Sequence, residues 1–298
     1  AIGASAMGDT NNDDAFNSDY NIIIGHNAGS GDWQSKCVNN VAIGSSSMNG
    51  AMDDADNNTA IGHLALNALT TGDQNVAIGA SAGAAINSGQ QNIVVGFMAG
   101  FTLSTGQDNI AIGDKALETH TTGLRNIAIG SGAMADTNAG TNTLASIDNI
   151  FIGKNAGGGT WVETDSNSDC NYNVGIGNLV MDAAMDGAEY NVGIGYNALS
   201  SITTADSNVA IGFQAGQLST IGANNVFIGS NAGETNVEGE KNVAIGTLAF
   251  YNGQEDSGCV AVGFEALNAV DVSNTGSAVY TYNTAVGYQS GTDITTGI

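Results

Sequence analysis

The chain has 298 residues with 43 glycines, no proline and 11% charged residues, a composition that suits many tight backbone turns and not a mixed globular enzyme. Its net charge of −24 comes from 29 acidic residues against five basic ones. That balance disfavours nucleic acid and anionic membrane surfaces as partners and favours a soluble acidic shell. Apolar runs stop at four or five residues, too short for a membrane-spanning helix of roughly 20 residues.

One phrase, Asn-Val-Ala-Ile-Gly, recurs along the whole chain and closes on Gly3, Gly25, Gly44, Gly62, Gly79, Gly96, Gly113, Gly130, Gly153, Gly177, Gly195, Gly212, Gly229, Gly246, Gly263 and Gly287. Eight of the fifteen intervals between these glycines are 17 residues, and the others are longer by one to seven. Such a period predicts a stack of like units, an all-β parallel solenoid or β-roll of about 16 rungs running through 1–298 as one array. Sixteen rungs stepping about 4.8 Å give a rod on the order of 75 Å. Ala1 falls inside one phrase and Ile298 shortly after the glycine of another, so the chain is expected to be a window on a longer fibre.

Counting each closing glycine as zero, position −1 is Ile or Val in every unit, and −3 is Ile or Val except at Thr59 and Thr284. This alternation predicts a short strand with both ranks on one face. Between them stands Ala in ten units, Gly175 and Gly193 in two, and Ile23, Val94, Phe151 or Phe227 in the others. A strand apolar on both faces is covered on both. The expectation is that the large Ile/Val ranks form the core of the coil. The small Ala/Gly rank then packs against neighbouring subunits around an axis, in a parallel homotrimer. A monomeric solenoid that covers its Ala rank with another segment of its own chain is the alternative.

At −4 stand Asn21, Asn40, Asn58, Asn75, Asn92, Asn109, Asn126, Asn149, Asn173, Asn191, Asn208, Asn225, Asn242 and Asn283, with Cys259 in the remaining full unit. Stacked identically, these amides predict a structural ladder from coil to coil and not a catalytic row. Position +3 is Ala except at Ser47, Val180 and Ser290, and it is read as an inward residue in a second short strand or bend. Gly72, Gly89, Gly106, Gly123, Gly222 and Gly239, ten residues on, mark a turn.

Breaks in the period fall at 8–20, 135–148, 158–172 and 268–282, with smaller additions near Trp33 and Asp53. Insertions leave the ladder as surface loops, where binding residues concentrate. Trp33, Trp161, Tyr172, Tyr280 and Tyr282 are therefore candidate ligand-binding aromatics for a glycan or host receptor; their alternative role is to cover exposed rung edges. Three stretches place oxygen ligands at alternate positions: Asp9, Asn11 and Asp13; Asp54, Asp56 and Asn58; Asp165, Asn167 and Asp169. A structural calcium is the one cofactor considered. However, the first and third stretches lack the Gly and Glu of an EF-hand loop, having Asp14 and Tyr20, and Cys170 and Ile176, in those places. His26, His63 and His120 are isolated, and Cys37, Cys170 and Cys259 have no metal-ligand spacing. No nucleophile, base or phosphate loop stands apart from the repeat, so no enzyme is expected.

The segments 74–79 (Gln-Asn-Val-Ala-Ile-Gly), 108–113, 125–130, 207–212 and 241–246 resemble the head repeats of trimeric autotransporter adhesins and similar repeats in phage tail fibres. The resemblance implies a trimeric left-handed parallel β-roll, displayed outside a cell or on a virion, whose outer surface attaches to host ligands. Adhesin heads repeat near 14 residues, so the 17-residue unit here is a departure. Two further readings remain: a purely structural subunit of an extracellular filament, and an ice-binding solenoid using Thr71, Ser88, Thr105 and Thr122. The second loses its rank at Thr204, Ile221, Glu238 and Glu255.

Overall fold

A computed structural model of the chain describes residues 1–7, 18–137, 146–162, 169–269, 279–292 and 294. Among them the chain is all-β, a parallel solenoid with a repeat of about 17 residues and no helix. It divides into two compact units, 1–148 and 149–298. The first carries β1 (Ile22–Ile24), β2 (Val41–Ile43), β3 (Thr59–Ile61), β4 (Val76–Ile78), β5 (Ile93–Val95), β6 (Ile110–Ile112) and β7 (Ile127–Ile129). In the second are β8 (Ile150–Ile152), β9 (Val174–Ile176), β10 (Val192–Ile194), β11 (Val209–Ile211), β12 (Val226–Ile228), β13 (Val243–Ile245), β15 (Val260–Val262) and β17 (Thr284–Val286). A side pair joins β14 (Asp256–Ser257) to β16 (Val279–Tyr280).

Within each unit every strand pairs in parallel with the next, phrase on phrase, as in Val76 opposite Ile93 and Ala77 opposite Val94. The longer intervals do not shift this register: Ile150 still faces Val174, and Val260 faces Thr284. The added residues therefore stand, in sequence, between the turn after one glycine and the strand of the next unit. The segment after each glycine is a turn, the bend of the two forms expected for it and not the second strand, and its +3 alanine is buried, as at Ala82 and Ala215. Its +3 amide donates to the glycine carbonyl, as Ala82 does to Gly79 at 3.3 Å and Ala215 to Gly212 at 3.4 Å.

The faces of the strand are the reverse of the expectation. The central rank points into the coil and is sealed, with Ala77, Ala111, Phe151 and Phe227 all at 0% exposure, while the flanking Ile/Val ranks face outward. The coil is narrow, so Ala at the strand centre fits against Ala at +3, as in Ala111 and Ala116. Larger central residues occur where +4 is glycine. Ile23 pairs with Gly29, Val94 with Gly100, Phe151 with Gly157 and Phe227 with Gly233, and a Cβ at Gly100 would lie 2.7 Å from Val94 Cγ1. Conversely, Leu66, Leu117, Met181 and Leu199 at +4 stand over Ala60, Ala111, Gly175 and Gly193, all but the two glycines recorded as fully buried. Where both positions are small, as at Ala77 with Gly83 and Ala210 with Gly216, side chains of the neighbouring rungs fill the space: a Cβ at Gly83 would lie 3.1 Å from Leu66 and Val94, and one at Gly216 would lie 2.9 Å from Phe227 and 3.0 Å from Leu199.

The closing glycines serve a different need. At Gly79 φ is +137°, and a Cβ there would sit 2.3 Å from the Gly96 carbonyl oxygen of the next rung. The same contact recurs at Gly195 against Gly212, so stacked rungs approach too closely at this corner for any side chain.

Buried Asn side chains bind the rungs together. Asn75 Oδ1 accepts from the Asn92 backbone N–H at 3.1 Å and from Asn92 Nδ2 at 3.0 Å, while Asn75 Nδ2 donates to the Gly89 carbonyl at 2.8 Å. Asn109 and Asn126 continue the pattern in the first unit, as Asn208, Asn225 and Asn242 do in the second. In the second unit the row ends at Cys259, whose N–H still donates to Asn242 Oδ1 at 2.9 Å. Its thiol cannot repeat the amide pair, and Asn283 Nδ2 is buried without a partner. A shorter, irregular ladder runs two residues earlier: Val38 N–H donates to Asp56 Oδ1, Asp56 N–H to Asp73 Oδ1, both at 2.7 Å, and Glu189 N–H to Asp206 Oδ1 at 2.8 Å.

At +7 the coil interior holds Leu69, Ile86 and Leu103 and then His120, all fully buried. His120 Nδ1 lies 3.0 Å from Thr137 Oγ1, and Nε2 lies 3.3 Å from Asn126 Nδ2. Burial pushes its imidazole down to about 4, against an acceptor at Ser146 that favours the charged form. The folded chain keeps His120 neutral where the unfolded chain binds a proton, so stability falls as pH drops from about 6.5 toward 4. The expected loss is about 3 kcal/mol. Denaturation midpoints of the wild type and His120→Leu at pH 7 and pH 4.5 check it: the variant should lose markedly less on acidification, and equal losses would exclude this source.

Candidate functional site

Two surfaces follow from this arrangement. The first is the outward face of the strands. Positions −3 and −1 contain no charged residue in any unit, and +1 contains only Asp114 and Lys154. In the regular rungs the −1 side chains stay more than a third exposed, as at Ile78 (39%), Ile112 (38%) and Ile211 (37%). Aromatic residues extend this face at +1. Tyr196 stacks on Phe213 with centroids 5.7 Å apart, and Phe264 on Tyr288 at 5.3 Å, both pairs within 12° of parallel. Exposed large apolar residues in continuous rows are unusual on a chain that is monomeric. Sequence reasoning misses this face, because the size of the Ile/Val ranks places them in the interior.

The second surface is the −5 column, at the corner where the chain enters the strand. Its residues adopt left-handed backbone, for example Gln74, Gln91, Asp108, Tyr172, Tyr190 and Asn224. Tyr172 and Tyr190 stack at 5.1 Å and 6° and are both exposed. The Tyr190 phenol is raised by desolvation first, then by the charges of Glu189 and Asp206 and by Tyr172. Much later in the chain, Tyr280 and Tyr282 stack at 5.6 Å. Lys241 Nζ lies 5.1 Å from the Tyr280 ring centre and donates to its hydroxyl at 2.7 Å. That hydroxyl and Glu240 raise the Lys241 ammonium further above its ordinary value.

Trp33 and Trp161 are not surface aromatics. Both are fully buried, and Trp161 meets Phe151 edge-on at 5.8 Å. Their longer rungs have room at the far end of the coil, and an indole fills it; neither can offer a ring to a ligand. The three candidate aromatics that remain exposed are Tyr172, Tyr280 and Tyr282.

Of the calcium candidates, Asp9, Asn11, Asp13, Asp165 and Asn167 lie outside the described residues, leaving Asp169. In the middle stretch Asp56 Oδ1 accepts from Val38 N–H and Asn58 Oδ1 from Asn75 N–H, so those oxygens serve the ladders. Among the described residues no three His, Cys, Asp or Glu side chains converge as a metal cluster would. A surface depression of about 660 Å³ is lined by Ser35, Lys36, Asp53, Asp54, Thr71 and Asp73, where Ser35 donates to Asp53 at 2.6 Å. The cysteines are free and buried, and burial pushes the Cys37 thiol up to about 11 and the Cys170 thiol up to about 12. Such thiols are poor nucleophiles at neutral pH.

Comparison with protein-family models, with curated proteins and with solved structures finds no match to this chain.

Proposed function

We propose that the chain is a non-enzymatic segment of an extracellular fibre, carried on a cell or virion, that assembles with copies of itself and presents its variable arcs to a host surface. The observation that carries this reading is the outward face of the strands in each unit, free of charge along −3 and −1. Each rung leaves on the order of 100 Å² of Ile/Val surface exposed, so the seven rungs of the first unit offer roughly 700 Å², near the ~800 Å² per partner of a stable interface. The partner is another copy of this chain. Copies carrying −24 each repel through every acidic surface, and this face alone is free of charge along −3 and −1. Its side chains repeat at the rung spacing, so two aligned copies mesh row by row. Trimeric assembly fits this geometry with the Ile/Val ranks toward the axis, in place of the Ala rank. A filament without an attachment role would use the same face, and ligand binding separates the two.

Light scattering on the wild type should give a mass near three chains, and association should strengthen with salt. The triple variant Ile194→Asp, Ile211→Asp, Ile228→Asp should give monomers with unchanged circular dichroism, since these side chains take no part in the coil interior. A monomeric wild type, or an assembly indifferent to the three aspartates, would sink the reading.

A further inference from the structure

The −5 column mixes short polar residues, such as Asn39, Asn57, Asp108 and Asn224, with longer ones, and its aromatic members are Tyr20, Tyr172, Tyr190 and Tyr282. Tyr172 and Tyr190 hold the same conformation, each with φ of +59°. Bulky aromatic residues there are strained and exposed, and the rungs on either side show that the fold does not need them. The ladder around them is rigid: Tyr190 N–H donates to the Asn171 carbonyl at 3.2 Å, Ser207 N–H to Glu189 at 3.0 Å, and Asn224 N–H to Asp206 at 3.0 Å. The column thus runs ring, ring, Ser207, Asn224 at one rung per step. Ser207 is too short to cover the second ring. Between the Tyr190 ring and the Asn224 side chain lie two steps, about 9.6 Å, enough for one further ring at stacking distance from Tyr190.

The edges of this gap are polar. Ser207 offers a hydroxyl, Asn224 an amide, and Asp206 a carboxylate already held in place by Glu189 N–H at 2.8 Å. Asn171 Nδ2 in turn fixes Glu189 through Oε1 at 3.0 Å. One aromatic face bordered by a carboxylate, an amide and a hydroxyl matches the two sides of a pyranose, whose C–H face is apolar and whose rim is hydroxylated. The neighbouring Glu189 and Asp206, on a chain of −24, oppose anionic sugars.

We infer that the gap over Ser207, bounded by Tyr190 and Asn224, binds a single pyranose ring of a neutral glycan as the third member of the Tyr172–Tyr190 stack. This rests on the attachment reading above and names its ligand class, but it uses the −5 residues and not the −3 and −1 ranks. The test is retention of the assembled protein on an array of neutral, N-acetylated and sialylated glycans, followed by titration with the strongest neutral binder. Tyr190→Ser should weaken binding more than tenfold by removing the platform. Ser207→Tyr should do the same by filling the gap with a residue the column already accepts at Tyr20, Tyr172, Tyr190 and Tyr282, and Gln74→Ser, in the same column, should change nothing. Light scattering on all four proteins should give the wild-type mass. No neutral glycan retained, retention of sialylated glycans only, or wild-type affinity in Ser207→Tyr would each overturn the assignment. Lost assembly in the wild type would instead overturn the interface and leave this site standing.

Discussion

Gly79→Ala is expected to unfold the first unit's central rungs, at a cost above about 4 kcal/mol. Two effects combine. The backbone at φ +137° is a region that L side chains rarely adopt, and the new methyl would lie 2.3 Å from the Gly96 carbonyl oxygen, which accepts from the Ala99 N–H of its own turn. Neither can relax alone, because moving the oxygen shifts Gly96, which makes the same contact with Gly113. Ala80→Ser, one residue on and partly exposed, is the control and should stay within about 0.5 kcal/mol of wild type. Chemical denaturation followed by circular dichroism reads both; a Gly79→Ala chain as stable as the control would refute the close-approach account.

The second large effect is an exchange of volume inside one rung. Phe227→Ala alone is expected to cost about 3–5 kcal/mol through the cavity it leaves. Gly233→Leu alone should cost more than about 4 kcal/mol, because its Cβ would already fall within contact distance of the Phe227 ring. Together the two changes recreate the Ala111 and Leu117 arrangement of another rung, and Leu117 shows that a leucine accepts the left-handed backbone there, at φ +53°. The double variant should recover to within about 2 kcal/mol of wild type, a coupling of several kcal/mol. Additive losses would mean that the pairing of sizes along the chain has no packing origin.

Fold class and strand register are legible in the residues, because a period of 17 with a fixed Asn-to-Gly phrase allows few alternatives. The Asn row is equally plain, since fourteen amides at one position need partners and the next rung supplies them. The inside of the strand is not legible from alternation alone, for both faces are apolar. Residue size misleads there: the bulkier ranks look like a core, yet a narrow coil admits the smaller one. The decisive signal is the compensation between −2 and +4, Phe227 with Gly233 against Ala111 with Leu117, which becomes readable once the two positions are compared. Trp33 and Trp161 show the complementary difficulty. An insertion lengthens a loop but also widens a coil, and only the packing decides whether an aromatic residue within it faces solvent.

The interruption at Cys259 bears on how the second unit comes apart. In a stack, each rung's persistence depends on its coupling to its nearest neighbours. Up to Asn242 that coupling has three strands to it: backbone pairing, interior contact and the amide row. Beyond Cys259 the amide strand is cut, although Val260 N–H still donates to the Asn283 carbonyl at 2.8 Å. The described rung beyond this residue, Thr284–Val286, is therefore expected to open at lower cost than the rungs joined by amides. A single thiol thus sets the boundary between a part of the array that opens locally and a part that yields only as a whole.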